Sequence, residues 1–254
     1  MFKNLRNALR EWQDLGLRLR LPGSPFWTQA RMAWAELPID AERVRDWLPF
    51  PLRLAQPATA SVFIADYPQT SFGSVYHEAA ILLDVTLFGW HLQYCPWMIV
   101  DDDSALILGR EMLGYPKKMG VFRFEERDGR FFGSVERGGE EVFRLQGRIS
   151  ARSLPHPPLG IGRWQVNLRG LIGLLPAHLL LFRPQETVHA AQALDEVEVT
   201  LTAGADDPID IAAGAARRAS LRTCDIGGGI LPPPLRLFPV GPFLLSSLTR
   251  LRVR

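Results

Sequence analysis

Cysteine is scarce in this sequence. Only Cys95 and Cys224 occur among its 254 residues, far apart and in no metal-binding spacing. Two isolated thiols supply neither a disulfide framework nor a cysteine-based zinc site, and they are typical of proteins from a reducing compartment. We therefore expect a cytoplasmic protein without a structural disulfide or zinc ion.

Long apolar runs are also missing. The longest apolar region, residues 171–182, is interrupted by Pro176 and His178 and is too short to span a bilayer. The N-terminal residues lack the extended apolar stretch and small-residue cleavage site of a signal peptide. We expect neither a membrane span nor a secretion signal.

A large excess of either sign of charge is also missing. The chain has 29 Lys and Arg against 27 Asp and Glu, a formal net charge of +2. No basic cluster is interleaved with aromatic residues, which argues against a nucleic-acid partner. A hydrophobic content of 47% with 22% charged residues is instead typical of a globular chain that can bury a large core.

Motifs for nucleotides, metals and hydrolytic triads are missing as well. We interpret Gly227-Gly228-Gly229 as a sharp turn, because the glycines lack the preceding strand and following helix of a phosphate-binding loop. The five histidines show no Ser/His/Asp or metal-ligand spacing. We interpret Asp101-Asp102-Asp103 as a solvated turn between strands. No cofactor and no bound metal are expected.

Alternating apolar residues and turn signals predict a mainly β (α+β) fold with a few peripheral helices. The clearest pattern is a meander over 119–127, 130–137 and 140–150, with turns at Asp128-Gly129 and Gly138-Gly139. Further strands are predicted over 30–37, 62–66, 79–88, 95–100, 164–168 and 196–201. Short helices are predicted over 40–48 and 208–220.

Residues 2–20 have the apolar periodicity of an amphipathic helix, and Leu21-Pro22-Gly23 ends it. We expect residues 1–22 to form an N-terminal extension and residues 23–254 to form a single domain. The helix is expected to pack on its own domain or on a neighbouring subunit. Its basic residues leave a minority interpretation open, in which it lies on an anionic membrane surface.

The segment 109–120 combines two adjacent lysines with a corner of the chain. Pro116 disfavours helical geometry at Tyr115, so the chain is expected to leave the corner as a strand. Neighbouring strand residues point to opposite faces. One of Lys117 and Lys118 is therefore expected to be buried while the other stays in water, and alternation alone does not decide which.

A buried lysine here would be a candidate nucleophile. An unperturbed lysine has a pKa near 10.4 and is neutral in only roughly one molecule in 2,500 at pH 7, whereas attack on a carbonyl carbon requires the neutral amine. Burial in an apolar pocket can lower the pKa far enough without help. A second ammonium about 6 Å away would contribute roughly 2.8 kcal/mol, but side chains on opposite strand faces lie farther apart. Taken by itself, a Lys-Lys pair is more often a solvated surface feature.

The residues around the lysines resemble the signature of the acetoacetate decarboxylase family. Gly-Arg-Glu at 109–111 is followed by Tyr-Pro-Lys-Lys at 115–118. In that family the first lysine of the pair forms the Schiff base, and this position corresponds to Lys117. The supporting positions are Lys118, Arg110 and Glu111.

Two more distant positions agree with this resemblance. Glu78 stands 39 residues before Lys117, and Arg31 stands 47 residues before Glu78, as the active-site glutamate and arginine of the family do. Glu78 opens an apolar strand, where it is either an ion-pair partner of Arg31 or an acid/base group with a raised pKa. The resemblance implies that Arg31 grips or steers the substrate's carboxylate. The segment 207–232 resembles the family's C-terminal portion more loosely.

One position departs from the family pattern. Where acetoacetate decarboxylases carry a further glutamate before the Glu78 position, this chain has Phe63, and the nearest carboxylate is Asp66. The departure puts the substrate and the reaction in question, while the assignment of Lys117 is unaffected.

The resemblance implies an antiparallel β-barrel or cone that assembles into homo-oligomers. It also implies a small keto acid as substrate and decarboxylation of a β-keto acid through a lysine imine. One alternative uses the same imine for aldolase or dehydratase chemistry. A second alternative is a non-catalytic barrel that binds a small apolar ligand, with Lys117 as a counter-ion.

Overall fold

The computed structural model describes residues 25–157, 160–169, 177–204, 206–211, 214–227 and 235–240. Most of these residues are extended. The strands are β1 (Pro25–Pro38), β2 (Arg53–Leu54), β3 (Thr59–Tyr67), β4 (Gln69–Thr70), β5 (Tyr76–Leu87), β6 (Trp90–Val100), β7 (Lys117–Met119), β8 (Val121–Arg127), β9 (Arg130–Arg137), β10 (Glu140–Ser153), β11 (Gln165–Arg169), β12 (Ala177–Phe182), β13 (Gln185–Leu201), β14 (Arg218–Gly227) and β15 (Leu235–Val240).

Two α-helices interrupt the described strands. Helix α1 (Ala41–Val44) continues into a 3-10 turn over Arg45–Trp47, and the Asp40 carboxylate caps it by accepting from the Glu42 amide. This confirms the short capped helix predicted over 40–48. Helix α2 (Asp103–Leu113) is longer and joins β6 to β7. In the part of the chain that the structure describes, no helix is long and apolar enough to cross a membrane.

The described strands form one sheet. Its order is β15-β12-β11-β6-β5-β3-β1-β14-β13-β10-β9-β8, with β2, β4 and β7 paired to β5, β1 and β6. All pairings are antiparallel except those of β6 with β7 and β11. The prediction of a mainly β fold with a large antiparallel sheet is confirmed. The described strands do not close a barrel, because β15 and β8, at the two ends of the path, do not pair with each other.

The sheet instead folds over itself. Gly133 of β9 lies against Ile64 of β3, where an added Cβ would approach the Ile64 methyl group to 2.7 Å. The fold encloses a large apolar core on one face of the central strands, and a second apolar cluster occupies the other face. Alternate residues of β1 divide between them: Ala33 and Ala35 face the large core, and Met32 and Trp34 face the second cluster.

The meander is the prediction that the structure matches best. Strands β8, β9 and β10 pair in sequence order through the two predicted turns, and Asp128 and Gly129 at the first turn both have positive φ. Cys95 and Cys224 are both buried and do not form a disulfide with each other.

Two local predictions were wrong. Asp102 does not lie in a solvated turn, because its carboxylate accepts from the Ala105 amide at 2.7 Å and caps α2. No helix occurs in the described part of 208–220: Ile209 and Ile211 are buried in the large core, and the chain enters β14 at Arg218.

Strand β14 also runs directly into the glycine run at Gly227, so the glycines do have a preceding strand. The remaining glycines and the amphipathic segment 1–22 lie outside the described residues.

Candidate active site

Lys117 begins β7 directly after the predicted corner. Gly114 caps the C-terminus of helix α2. Its φ of 67° belongs to the left-handed region, and its amide donates to carbonyls of the last turn. The chain then turns through Pro116, and β7 pairs in parallel with β6 so that Lys117 lies opposite Met98. The predicted corner and strand are both present.

The Lys117 ammonium is buried against a carboxylate. Its Nζ lies 2.7 Å from Glu78 Oε2, and the two residues are 3% and 6% exposed. Glu78 stands on β5, opposite Val100 of β6 and Ala65 of β3, and the Tyr67 hydroxyl donates to its other oxygen at 3.4 Å. Burial, followed by the Glu78 charge, raises the pKa of Tyr67 well above its ordinary value, so Tyr67 acts here as a neutral donor.

The rest of this cavity is almost entirely apolar. One side, the aromatic wall, consists of Phe26, Trp27, Tyr67, Phe72 and Tyr76. The other side, the helix wall, consists of Ala105, Leu108, Met112 and Leu113 of α2. The Lys117 Nζ lies 5.3 Å from the centre of the Tyr76 ring, within the range of a cation–π contact.

Helix α2 has a glycine at the point where Lys117 crosses it. A Cβ added at Gly109 would lie 2.4 Å from Lys117 Cε and 3.0 Å from its Nζ. Since the methylene groups of Lys117 occupy that space, a larger residue at 109 would require the end of the Lys117 side chain to move.

The structure also buries Lys118, so the prediction that one lysine of the pair stays in water was wrong. Lys118 is 6% exposed, and its Nζ lies 2.5 Å from Asp207 Oδ1 and 3.0 Å from the Asp206 carbonyl. Asp207 also binds Arg137 at 2.6 Å and accepts from the Trp97 indole at 2.7 Å. Burial lowers the pKa of Lys118, and the hydrogen bond and charge of Asp207 oppose that change. The second ammonium is tolerated in the interior because a buried carboxylate compensates it.

Arg31 does not join Lys117 and Glu78. It belongs to the opposite face of β1, where its guanidinium makes a two-pronged pair with Glu126 of β8 at 2.6 and 2.8 Å and reaches Thr223 at 3.2 Å. Glu78 is therefore the ion-pair partner of Lys117 and not of Arg31, and no arginine side chain lines the described part of the cavity.

The two other supporting positions differ in their placement. Arg110 Nη1 donates to the Lys117 carbonyl at 2.9 Å and so holds the backbone of the lysine. Glu111 lies on the exposed side of α2. Asp66 faces away from the cavity, 3.8 Å from the His77 ring, while Phe63 is buried with the second apolar cluster.

Sequence reasoning missed the contributions of Gly109, Tyr67 and Asp207. Gly109 belongs to the quoted signature, but its role depends on the path of a side chain that follows it by eight residues. Tyr67 is two residues from Ala65, the strand neighbour of Glu78, and a strand pairing derived from sequence could have found it. Asp207 is separated from Lys118 by 89 residues, and no local pattern connects them.

These features define a mainly β protein with a lysine–carboxylate pair buried in an apolar cavity. Residues 18–171 match the family model described as acetoacetate decarboxylase (ADC), and the chain belongs to this family. It is 35% identical over 99 residues to an acetoacetate decarboxylase of Chromobacterium violaceum, and this match covers 39% of this chain and 40% of the relative. It is 33% identical over 103 residues to one of Ralstonia nicotianae, covering 41% of each. The matches thus span about 40% of the length of these curated relatives.

Solved structures share the fold over most of the chain. The crystal structure of acetoacetate decarboxylase from Legionella pneumophila has a TM-score of 0.77 at 16% identity, covering 89% of this chain and 95% of that one. The enduracididine biosynthesis enzyme MppR, complexed with pyruvate, has a TM-score of 0.66 at 17% identity, covering 87% and 93%.

Proposed function

We propose that this protein is a Schiff-base-forming carboxy-lyase that decarboxylates a β-keto acid through Lys117. The observation that carries the proposal is the 2.7 Å contact between Lys117 Nζ and Glu78 Oε2 inside an apolar cavity. Membership of the acetoacetate decarboxylase family supports the reaction class.

Glu78 is suited to accept the proton that the amine must lose. Transfer of that proton across the 2.7 Å contact converts the ion pair into a neutral amine beside a neutral carboxylic acid. The neutral Lys117 amine then attacks the substrate ketone to give a carbinolamine. Glu78 can return its proton to the departing hydroxyl, so that water leaves and a protonated imine remains.

The imine provides the electron sink for decarboxylation. The bond between the α-carbon and the carboxylate breaks, carbon dioxide leaves, and the bonding electrons form an enamine with the former iminium carbon. A proton from solvent on the enamine carbon regenerates the protonated imine, and hydrolysis by water releases the ketone product and returns Lys117 as the ammonium paired with Glu78. Lys117 is thus the nucleophile and Glu78 the proton carrier, while Arg110 positions Lys117 through its carbonyl.

Trapping the imine tests this proposal directly. The chain has three lysines, at 3, 117 and 118, so a reduced adduct can be assigned by peptide mass mapping. With acetone and borohydride, we expect one adduct on Lys117, and with acetoacetate we expect carbon dioxide release that is lost in Lys117→Ala. The proposal is wrong if wild type and Lys117→Ala release carbon dioxide equally.

The same imine can support aldolase or dehydratase chemistry, and Phe63 favours this second candidate. Phe63 stands where the family pattern has a glutamate, and it is buried in the apolar cluster two residues from Ala65, the strand neighbour of Glu78. A Lys117 adduct without carbon dioxide release from any β-keto acid would support it. Absence of an adduct with every ketone would instead support a non-catalytic apolar ligand-binding protein.

A further inference from the structure

Large apolar side chains line both walls of the cavity beside the Lys117–Glu78 pair. Rings of the aromatic wall contact one another, with centroid distances of 4.9 Å for Tyr67–Tyr76 and 6.0 Å for Trp27–Tyr67. Trp27 and Phe72 nevertheless remain half-buried, as do Leu108 and Met112 across the cavity. An apolar ligand group that removes this surface from water would therefore bind favourably.

The polar groups near the cavity are largely bound to the protein. The Tyr76 hydroxyl accepts from the Trp27 indole at 2.8 Å, and the Tyr115 hydroxyl donates to Gln165 at 2.6 Å. The Tyr67 hydroxyl donates to Glu78. If a substrate carried further hydroxyl or carboxylate groups in addition to its β-keto acid group, those groups would lack hydrogen-bond partners between these walls.

The charged residues that line the cavity also favour a substrate with a single carboxylate. Lys117 is the only cation among the described residues that line the cavity, and Glu78 already compensates it. A β-keto acid brings one carboxylate, which can face the imine formed on Lys117. A second carboxylate at the far end of the substrate would have no partner in the described lining.

From these observations, and resting on the proposed function, we propose the substrate class. The substrate is a β-keto acid whose ketone carries an alkyl chain of several carbons or an aryl ring. This apolar group lies between the aromatic wall and the helix wall, with the carboxylate next to the Lys117 imine. Loss of carbon dioxide then neutralises the carboxylate and the protonated imine together, because the bonding electrons form a neutral enamine.

A substrate series tests this class. We expect kcat/KM for decarboxylation to increase about fourfold for each added methylene from acetoacetate to β-ketohexanoate, the increment of one buried methylene. Benzoylacetate should also exceed acetoacetate. β-Ketoadipate matches β-ketohexanoate in length but ends in a carboxylate, and it should be slower by on the order of 100-fold.

Two variants of helix α2 test whether the apolar group of the substrate lies between the two walls. Leu108→Trp narrows the space between the walls and should reduce the ratio of kcat/KM for β-ketohexanoate to that for acetoacetate. Ile107→Trp places the same ring on the neighbouring residue, which is 56% exposed and lies outside the cavity lining, and should leave the ratio unchanged.

Failure of this inference differs from failure of the proposed function. A Lys117 adduct with acetone, together with acetoacetate or β-ketoadipate as the fastest substrate, overturns the substrate class and leaves the imine intact. Absence of the adduct and of carbon dioxide from all four substrates overturns both. If Leu108→Trp and Ile107→Trp change the ratio of kcat/KM for β-ketohexanoate to that for acetoacetate equally, the apolar group does not lie between the two walls.

Discussion

Lys117 runs directly over Gly109, with no space between them for a methyl group. The distance from an added Gly109 Cβ to Lys117 Cε would be 2.4 Å, well inside van der Waals contact. The helix that forms one wall of the cavity and the proposed nucleophile are therefore packed together, and the position of the amine depends on a residue of the helix.

Gly109→Ala should displace Lys117 and reduce its reaction with ketones. Alanine favours the helix by about 1 kcal/mol over glycine, whereas overpacking costs about 1 to 3 kcal/mol. We expect little change in melting temperature but at least about a tenfold slower formation of the reduced acetone adduct, since small displacements strongly affect reactions of positioned groups. The exposed Ser104→Ala on the same helix is the control. Equal adduct formation in both variants would refute the packing argument.

Glu78→Gln should slow catalysis, because it removes the proposed proton carrier for imine formation. The amide keeps the size of the side chain but cannot accept the ammonium proton, and general acid–base groups contribute about 100-fold or more. We expect kcat to fall by about this factor. Tyr67→Phe removes only a 3.4 Å hydrogen bond and should have a much smaller effect. An unchanged kcat in Glu78→Gln would remove Glu78 from the mechanism.

Arg31 provides a test of whether the family pattern or the geometry decides its role. Because Arg31 pairs with Glu126 on the far face of β1, we expect Arg31→Ala and Glu126→Ala to lower the melting temperature similarly. Both should change KM for a β-keto acid less than about threefold, since neither touches the cavity. A selective, large increase of KM in Arg31→Ala would restore the role implied by the resemblance.

His77 should make stability depend on pH. The hydrogen bond to Asp101, 2.7 Å from Nδ1, raises the pKa of His77, while burial opposes it and Asp66 adds to it. Phe122 of β8 stacks on the ring without a charge. Because the pKa of His77 is higher in the folded state than its unfolded value near 6.5, protonation of His77 stabilises the folded protein. This stabilisation is fully present below the unfolded pKa and is lost as the pH rises through the folded pKa.

Chemical denaturation at several pH values measures this dependence. Wild type should lose stability relative to His77→Gln as pH rises from about 6 to 8, and Asp101→Asn should weaken the difference. If wild type and His77→Gln have parallel pH profiles, the charge on His77 does not stabilise the fold.

The sequence could predict features that depend on neighbouring residues or on fixed spacing. The meander of β8 to β10 follows from two local turns. The family resemblance implied that Lys117 and Glu78 belong to one site, but it placed Arg31 there as well. Helix α2 was missed although Ala105, Gly109 and Leu113 recur every four residues on its buried side.

The face on which Arg31 lies could not be read from alternation. Between Trp27 and Ala30 the pairing of β1 shifts, and Gln29 has a positive φ of 57°. Such an irregularity exchanges the two faces of a strand. It allows Trp27 to line the cavity while Arg31 faces Glu126. The burial of Lys118 depended in a similar way on Asp207, a distant residue.

The most direct test of the central claim is reductive trapping on an intact chain that contains few lysines. Wild type and Lys3→Arg, incubated with acetone and borohydride, should each gain the mass of one isopropyl group on Lys117, and Lys117→Arg should gain none because a guanidinium does not form the imine. Labelling of Lys118 instead, or equal labelling of Lys117→Arg and wild type, would contradict the account.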